Sequence, residues 1–245
     1  MKIILHGYTG RMGHMVQELL KGSEENTIVA KVAADAGKEA SCYQSLNDFT
    51  GEADVVIDFS NHAATNDLLA YCTKRKLPVV ICTTGQTDEE KNMIMHASKE
   101  IPVFNSANMS LGIAVLSDLA KRAAALFPDA DIEIVEKHHN QKLDVPSGTA
   151  LALANSIKEV RADATYNVGR HENGKRTKQE IGIHSLRMGN EVGTHEIYIN
   201  NGNECLTLTH EANSRAVFAA GALKAAQYLL NKQPGLYTMK ELIGD

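Results

Sequence analysis

At 245 residues the chain is long enough to bury a substantial core, as one large domain or two modest ones. Its 43% hydrophobic and 22% charged residues exclude a disordered chain. The 25 basic and 30 acidic residues leave a net charge of −5 with no long block of either sign, so nucleic-acid binding has little electrostatic support and only a local basic pocket stays open. No apolar run approaches the roughly 20 residues of a membrane span, no signal-peptide pattern opens the chain, and the four cysteines (Cys42, Cys72, Cys82, Cys205) form no Cys-x-x-Cys pair, so a reduced, cytoplasmic protein with no membrane partner is expected.

Lys2–His6 reads as an apolar strand ending in glycine, followed by a helix with Met12, Val16, Leu19 and Leu20 on one face. Further strands are expected at 27–33, 54–58, 78–82 and, shorter, 101–105, with helices at 62–74 and 88–99. Continuous apolar strands alternating with helices imply a parallel sheet buried on both faces, and right-handed crossovers make it a doubly wound, Rossmann-like domain. After about Asn108 the pattern changes. A long helix over Leu111–Leu126 precedes a strand at 131–136, a His/Lys segment and a helix at 149–159. Residues 161–180 are polar and weakly patterned and read as a loop. Strands at 181–186, Thr194–Asn200 and 204–210 follow, the last two joined as a hairpin through Asn200-Asn-Gly-Asn203. Late strands without helices between them indicate a second, mixed sheet in a central α+β domain. An amphipathic helix at 214–230, stopped by Pro234-Gly235, and a short helical tail end the chain.

Gly7-Tyr8-Thr9-Gly10-Arg11-Met12-Gly13 lies between a strand and a helix, the context in which a glycine turn and a helix N-terminus hold a pyrophosphate. Its spacing departs from G-x-G-x-x-G, and in isolation it is also compatible with a plain strand–helix turn. Asp35, at the end of the second strand, can accept hydrogen bonds from a ribose. The rival for Asp35 is a surface turn residue. Its charge disfavours an extra ribose phosphate while Lys38 offsets the repulsion, so NADH is slightly preferred over NADPH and dual use stays open. Cys82-Thr83-Thr84-Gly85 and Ser106-Ala107-Asn108-Met109 follow two further strand ends, and taken alone are only small-residue loops.

The densest chemistry lies in Glu133-Ile-Val-Glu-Lys-His-His-Asn-Gln-Lys-Leu-Asp-Val-Pro-Ser-Gly-Thr-Ala150. His138 and His139 are adjacent and in an extended segment point to opposite sides, which argues against one shared metal, and no metal is expected. Lys142 follows, and a lysine in a partly desolvated pocket can take part in proton transfer. Ser147 and Thr149 hydroxyls with nearby amides open a helix, as in an anion-binding mouth. A capped helix beside a polar strand is the bland alternative. The convergence of His, Lys and anion donors favours a site.

This segment resembles the signature of the dihydrodipicolinate reductase (4-hydroxy-tetrahydrodipicolinate reductase) family. The resemblance extends to Gly7–Gly13 with Arg11-Met12, to Cys82–Gly85, to Ser106–Met109, to Arg187-x-Gly189-x-x-x-Gly193-x-His195-Glu196 and to Ser214-Arg215. It implies a cytoplasmic homotetramer of diaminopimelate and lysine biosynthesis that takes a small dicarboxylate substrate. It also implies a dinucleotide-binding Rossmann domain over 1–108 completed by the C-terminal helix within 214–245, and a central substrate-binding and oligomerisation domain over 109–213 that holds the tetramer contacts. Carried onto this sequence, it makes His138 a proton donor/acceptor and Lys142 a proton donor. His139, Gly148 and Thr149, with Ser147 beside them, would hold substrate carboxylates. Gly7, Tyr8, Thr9, Gly10, Arg11, Met12, Asp35, Cys82, Thr83, Thr84, Ser106, Ala107, Asn108 and Met109 would contact the cofactor. Cys82 stands where the family usually has glycine, and Met109 where an aromatic residue is common. Two rivals exist: a noncatalytic dinucleotide sensor, which leaves the His/Lys cluster idle, and a metal hydrolase, which lacks a third ligand nearby.

Overall fold

The computed structural model describes residues 1–244. In chain order the strands and helices are β1 (Lys2–His6), α1 (Arg11–Leu19), β2 (Thr27–Val32), β3 (Cys42–Tyr43), β4 (Val55–Asp58), α2 (Thr65–Arg75), β5 (Val79–Ile81), α3 (Asp88–Ala97), β6 (Pro102–Asn105) and α4 (Leu111–Leu126). They continue as β7 (Asp131–His138), α5 (Gly148–Lys158), β8 (Thr165–Val168), β9 (Glu180–Arg187), β10 (Thr194–Asn200), β11 (Cys205–Glu211), α6 (Ala216–Leu229), β12 (Gly235–Tyr237) and α7 (Met239–Ile243). The chain divides into two compact units, 1–111 with 215–245, and 112–214.

The first unit carries a seven-stranded sheet in the order β12-β6-β5-β4-β1-β2-β3, with every pairing parallel. Its central strands are buried along their length, as a sheet covered on both faces requires: Ile3, Ile4, Leu5, Val55, Val56, Ile57, Val79 and Val80 are fully enclosed. The chain reverses direction across the sheet between β1 and β4, the switch point at which such folds bind ligands beyond the carboxyl ends of their strands. Helix α3 begins with a reciprocal capping box between Thr87 and Glu90, and three acidic residues in its first turn favour its amino end. β3 and β12 are absent from the sequence expectation. Each is two or three residues long and exists because a neighbouring strand edge supplies its hydrogen-bond partners.

The second unit is a five-stranded mixed sheet in the order β11-β10-β7-β9-β8, with β7 antiparallel to β10 and parallel to β9. β7 alternates strictly: Ile132, Ile134, Glu136 and His138 are buried while Asp131, Glu133, Val135 and Lys137 face the other way. The isoleucines of β7, β9 and β10 pack on α4 and α5, whose alanines (Ala120, Ala124, Ala150, Ala154) bring helix and sheet backbones close together. Two expectations are corrected here. The strand read as 131–136 runs on to His138, and the 161–180 loop contains a strand, β8, that pairs in parallel with β9 as an edge of the sheet.

Candidate active site

In the first unit the glycine turn follows from steric necessity. Gly7 has φ +82°, and a Cβ on it would lie 2.5 Å from the Phe59 carbonyl carbon. A Cβ on Gly13 would lie 2.4 Å from the Gly7 carbonyl oxygen. Only glycine lets β1 turn this tightly into α1. The helix then starts at Gly10 with no side-chain cap and no acidic residue in its first turn, an electropositive end of the kind that takes an anion. Thr9 Oγ1 donates to Asp35 Oδ1 at 2.8 Å, tying the glycine turn to the loop after β2.

The other expected cofactor loops lie at the same carboxyl end of the sheet because β4, β5 and β6 follow β1 in one run of parallel strands. Thr83 is buried and donates to Asp58 Oδ2 at 2.6 Å, while Ser60 Oγ donates to Asp58 Oδ1 at 2.5 Å. His6 Nδ1 lies 2.9 Å from the same carboxylate without the geometry of a hydrogen bond. Asp58 thus links the ends of β1, β4 and the Cys82–Gly85 loop. Ser106 Oγ donates to the Asn108 carbonyl at 2.7 Å, and the Asn108 side chain accepts from the Ser110 amide at 2.9 Å, which shapes the loop around Ala107. Thr84 is exposed, while Cys82 and Met109 are buried. Burial pushes the Cys82 and Cys72 thiols well above the ordinary range, so neither is a nucleophile.

In the second unit a single carboxylate organises the His/Lys segment. Glu136 is fully buried, and one of its oxygens is 2.5 Å from His138 Nδ1. Arg187 clasps both oxygens at 2.8 Å each, and the Ser147 amide donates to Oε1 at 3.1 Å. Strand register explains the assembly: His138 lies beside Arg187 on β9, and Glu136 lies opposite His195 on β10. Arg187 also donates to the Asp144 carbonyl at 2.7 Å, holding the loop that carries Lys142. Lys142 Nζ is 2.8 Å from Asp144 Oδ1.

Burial alone would push the Glu136 carboxyl up, but the hydrogen bonds from His138 and Arg187 outweigh it and hold the carboxyl far below its usual range. His195 goes the other way. Burial, reinforced by His138, lowers it to about 3, so it is a neutral imidazole that shares a hydrogen bond with Ser147 Oγ at 3.2 Å. The rings of His138 and His195 meet edge to face with centroids 5.3 Å apart. Lys142 and the Gly148 amide hold the Asp144 carboxyl below its usual range, the lysine contributing more.

The segment's expected residues therefore come together, with distinct placements. His138 is buried and His139 half-buried, at the point where β7 gives way to a turn. Ser147 is 1% exposed, and its hydroxyl is engaged as the N-cap of α5 and as the partner of His195; Gly148 and Thr149 supply the next amides of that turn. Glu136, Arg187 and His195 received no role from the sequence. For Glu136 a signal existed, since a residue two before a candidate histidine on a strand shares its face. Arg187 and His195, which the sequence showed only as part of a resembling motif, acquire a place in the cluster when β9 and β10 are set beside β7.

A doubly wound sheet with a glycine turn after β1, in one chain with an acid–base cluster at strand ends of a second unit, defines a nicotinamide-dependent oxidoreductase. The comparisons agree. Residues 1–109 match the family described as dihydrodipicolinate reductase, N-terminus, and residues 112–243 match its C-terminus counterpart. The 4-hydroxy-tetrahydrodipicolinate reductase of Caldanaerobacter subterraneus subsp. tengcongensis is 48% identical, covering 99% of this chain and 98% of its own; that of Clostridium novyi is 45% identical with the same coverage. The dipicolinate-bound dihydrodipicolinate reductase from Paenisporosarcina sp. TG-14 superposes with a TM-score of 0.83 at 26% identity, over 97% of each chain. An amine dehydrogenase from Mycobacterium smegmatis, at 10% identity and TM-score 0.65, shares the fold. The chain belongs to the dihydrodipicolinate reductase family, and it is an NAD(P)H-dependent oxidoreductase.

Proposed function

We propose that this chain reduces 4-hydroxy-tetrahydrodipicolinate to tetrahydrodipicolinate, with loss of the 4-hydroxyl as water, in diaminopimelate and lysine biosynthesis. The observation that carries the substrate site is the pairing of Asp144: Lys142 and the first amide of α5 already converge on one carboxylate. A substrate carboxylate finds the same two donors there, and a second one has His139 and Thr149 close by in sequence. Lys142, an ammonium held by an ion pair, is a proton donor at Nζ, and His138 is the second proton-transfer group. Together they protonate the electron-rich product of hydride addition. When bound, the nicotinamide supplies the hydride. The residues of the first unit fit such a cofactor: the Gly7–Gly13 turn leaves room for close approach, the uncapped start of α1 offers amides to a pyrophosphate, and Asp35 stands ready for a ribose. Its carboxylate favours NADH slightly, with NADPH also accepted.

The 109–213 region would bind substrate and form the contacts of a homotetramer, and the enzyme would work in the cytoplasm; among the described residues no helix is long and apolar enough to cross a membrane. The test is an assay with freshly generated substrate and with NADH and NADPH in parallel, following nicotinamide absorbance. Oxidation of both, faster with NADH, is expected. No substrate-dependent oxidation of either would overturn the assignment.

A further inference from the structure

We infer that Glu136 is the positioning residue of the acid–base site: its carboxylate holds a proton on His138 Nδ1 and so reserves Nε2 as the ring atom that exchanges a proton with substrate. The inference rests on His138 as a proton-transfer group and adds what makes it competent.

Glu136 is clasped by both terminal nitrogens of Arg187, so both its oxygens accept and neither carries a proton. A carboxylate that only accepts, 2.5 Å from Nδ1, leaves one arrangement: Nδ1 bears the hydrogen and donates it. In a neutral imidazole Nε2 is then the basic atom. Space at Nε2 is preserved by Gly193, on which a Cβ would sit 3.0 Å from that nitrogen. His195, from the neighbouring strand, is neutral, so it packs against the ring without adding positive charge.

The same carboxylate sets two other parts of the site. It accepts from the Ser147 amide immediately before α5, and through Arg187 it reaches the Asp144 carbonyl in the Lys142 loop. Proton-transfer imidazole, anion-binding turn and lysine loop are therefore referenced to one buried group. A buried carboxylate without partners would be costly; matched by one guanidinium and one imidazole N–H it forms a stable, directional anchor.

Besides Glu136, the titratable and charged groups packed around the cluster are Arg187, beside His138 on β9, and the neutral His195 on β10, which meets the His138 ring edge to face; Lys142 and His210 act on His195. Glu136→Gln removes the carboxylate but leaves Arg187, so an imidazolium next to it is disfavoured.

The test compares Glu136→Gln, Glu136→Asp, His138→Gln and the double variant Glu136→Gln/His138→Gln. Nitrogen-15 NMR of the free protein reads the His138 tautomer. The wild type should show a protonated Nδ1, and Glu136→Gln a mixture or reversal. Turnover should fall about 10²- to 10³-fold in Glu136→Gln, with KM for substrate changed far less and NADH affinity unchanged. Its pH profile should also move toward lower pH. The double variant should lose clearly less than the product of the two single losses, because the hold of Glu136 on Nδ1 has no effect once His138 is gone, and only its hold on the Ser147 amide and the Arg187 loop adds a further loss. If Glu136→Gln does not fold, Glu136→Asp keeps the charge for Arg187 while drawing it back from His138, and should lose turnover with a near-normal melting temperature. An unchanged tautomer, or losses that multiply in the double variant, would overturn the inference. Should His138→Gln itself keep full turnover, the proton-transfer assignment of His138 fails, and with it the catalytic meaning of Glu136, whatever the tautomer.

Discussion

Lys142 Nζ reaches Asp144 at 2.8 Å in a loop that Arg187 pins from the sheet, so its position is set by the fold rather than by the loop's own preferences. On the proposed function, Lys142→Ala would take away a proton donor and a cation for a dianionic substrate. Turnover should fall at or beyond the roughly 10²- to 10⁴-fold contributed by one acid–base group, KM for substrate should rise, and NADH affinity measured by titration should stay put. His138→Gln should lose turnover with a smaller change in KM. A folded Lys142→Ala enzyme with near-normal turnover would refute the role.

Asp35 has two jobs that can be separated. Under the proposed cofactor reading its charge and its place beside a ribose would favour NADH, so Asp35→Ala should weaken NADH more than NADPH. As the partner of Thr9 it also steadies the glycine turn. Thr9→Val deletes only that hydrogen bond and should weaken both cofactors equally, by a few-fold. Equal losses in Asp35→Ala would make Asp35 a turn residue alone.

His195 links the site to acid stability. Its folded value of about 3 lies below the ordinary 6.5, so between these limits the unfolded chain binds a proton that the folded one refuses. Its contribution is therefore complete above pH 6.5 and is lost as the pH falls toward 3, at about 1.4 kcal/mol per pH unit for one group. His210, also lowered by burial, acts in the same direction. His195→Gln keeps a partner for Ser147 and removes the titration, so its melting temperature should drop less between pH 7 and pH 5 than the wild type's. An equal drop would show that other groups dominate acid unfolding.

At the scale of elements, the β1–α1 turn is the least tolerant joint. Gly13→Ala places a methyl 2.4 Å from the Gly7 carbonyl oxygen and 2.5 Å from Tyr8 Cα, all of it backbone that cannot rotate away. We expect a loss of about 1–3 kcal/mol of stability in denaturant melts and NADH binding reduced beyond detection, because the helix start shifts away from the turn. Retained NADH affinity would remove this turn from the cofactor site. The elements missed by sequence reading share one feature. β3, β8 and β12 are edge strands of two to four residues, too short for a period, and each takes its hydrogen bonds from one partner strand: β12 from β6, far back in the chain, β3 from β2 and β8 from β9 across a loop. Asp131–His138 was legible because alternation of isoleucine with polar residues marks a half-buried strand. Its last two residues were missed because Lys137 and His138 carry no apolar signal.

The whole molecule adds a sheet face that the helices leave uncovered. In the second unit, α4 and α5 cover one side, while Glu133, Arg176, His184 and Tyr198 lie on the other. Glu133 there accepts from His184 at 2.8 Å and Arg176 at 3.1 Å. A homotetramer should sediment as a single species at assay concentrations; a monomer with full activity would count against it.

Hydrophobic period, which acts over a few residues, was enough to read a parallel buried sheet and a second mixed sheet, while glycine spacing and residue type marked the Gly7–Gly13 turn and the His138–Thr149 segment as candidates for chemistry. They could not assign roles to Glu136, Arg187 and His195. These side chains come from β7, β9 and β10 and meet only through register, a long-range property set by strand pairing and by the isoleucine core beneath. Nor could composition show that Ser147 is engaged by His195 or that Lys142 rests on Asp144. Local sequence determines which residues are able to do chemistry, while packing decides which atoms of each remain available for it, because a buried polar group must take its partners from whatever strand lies next to it.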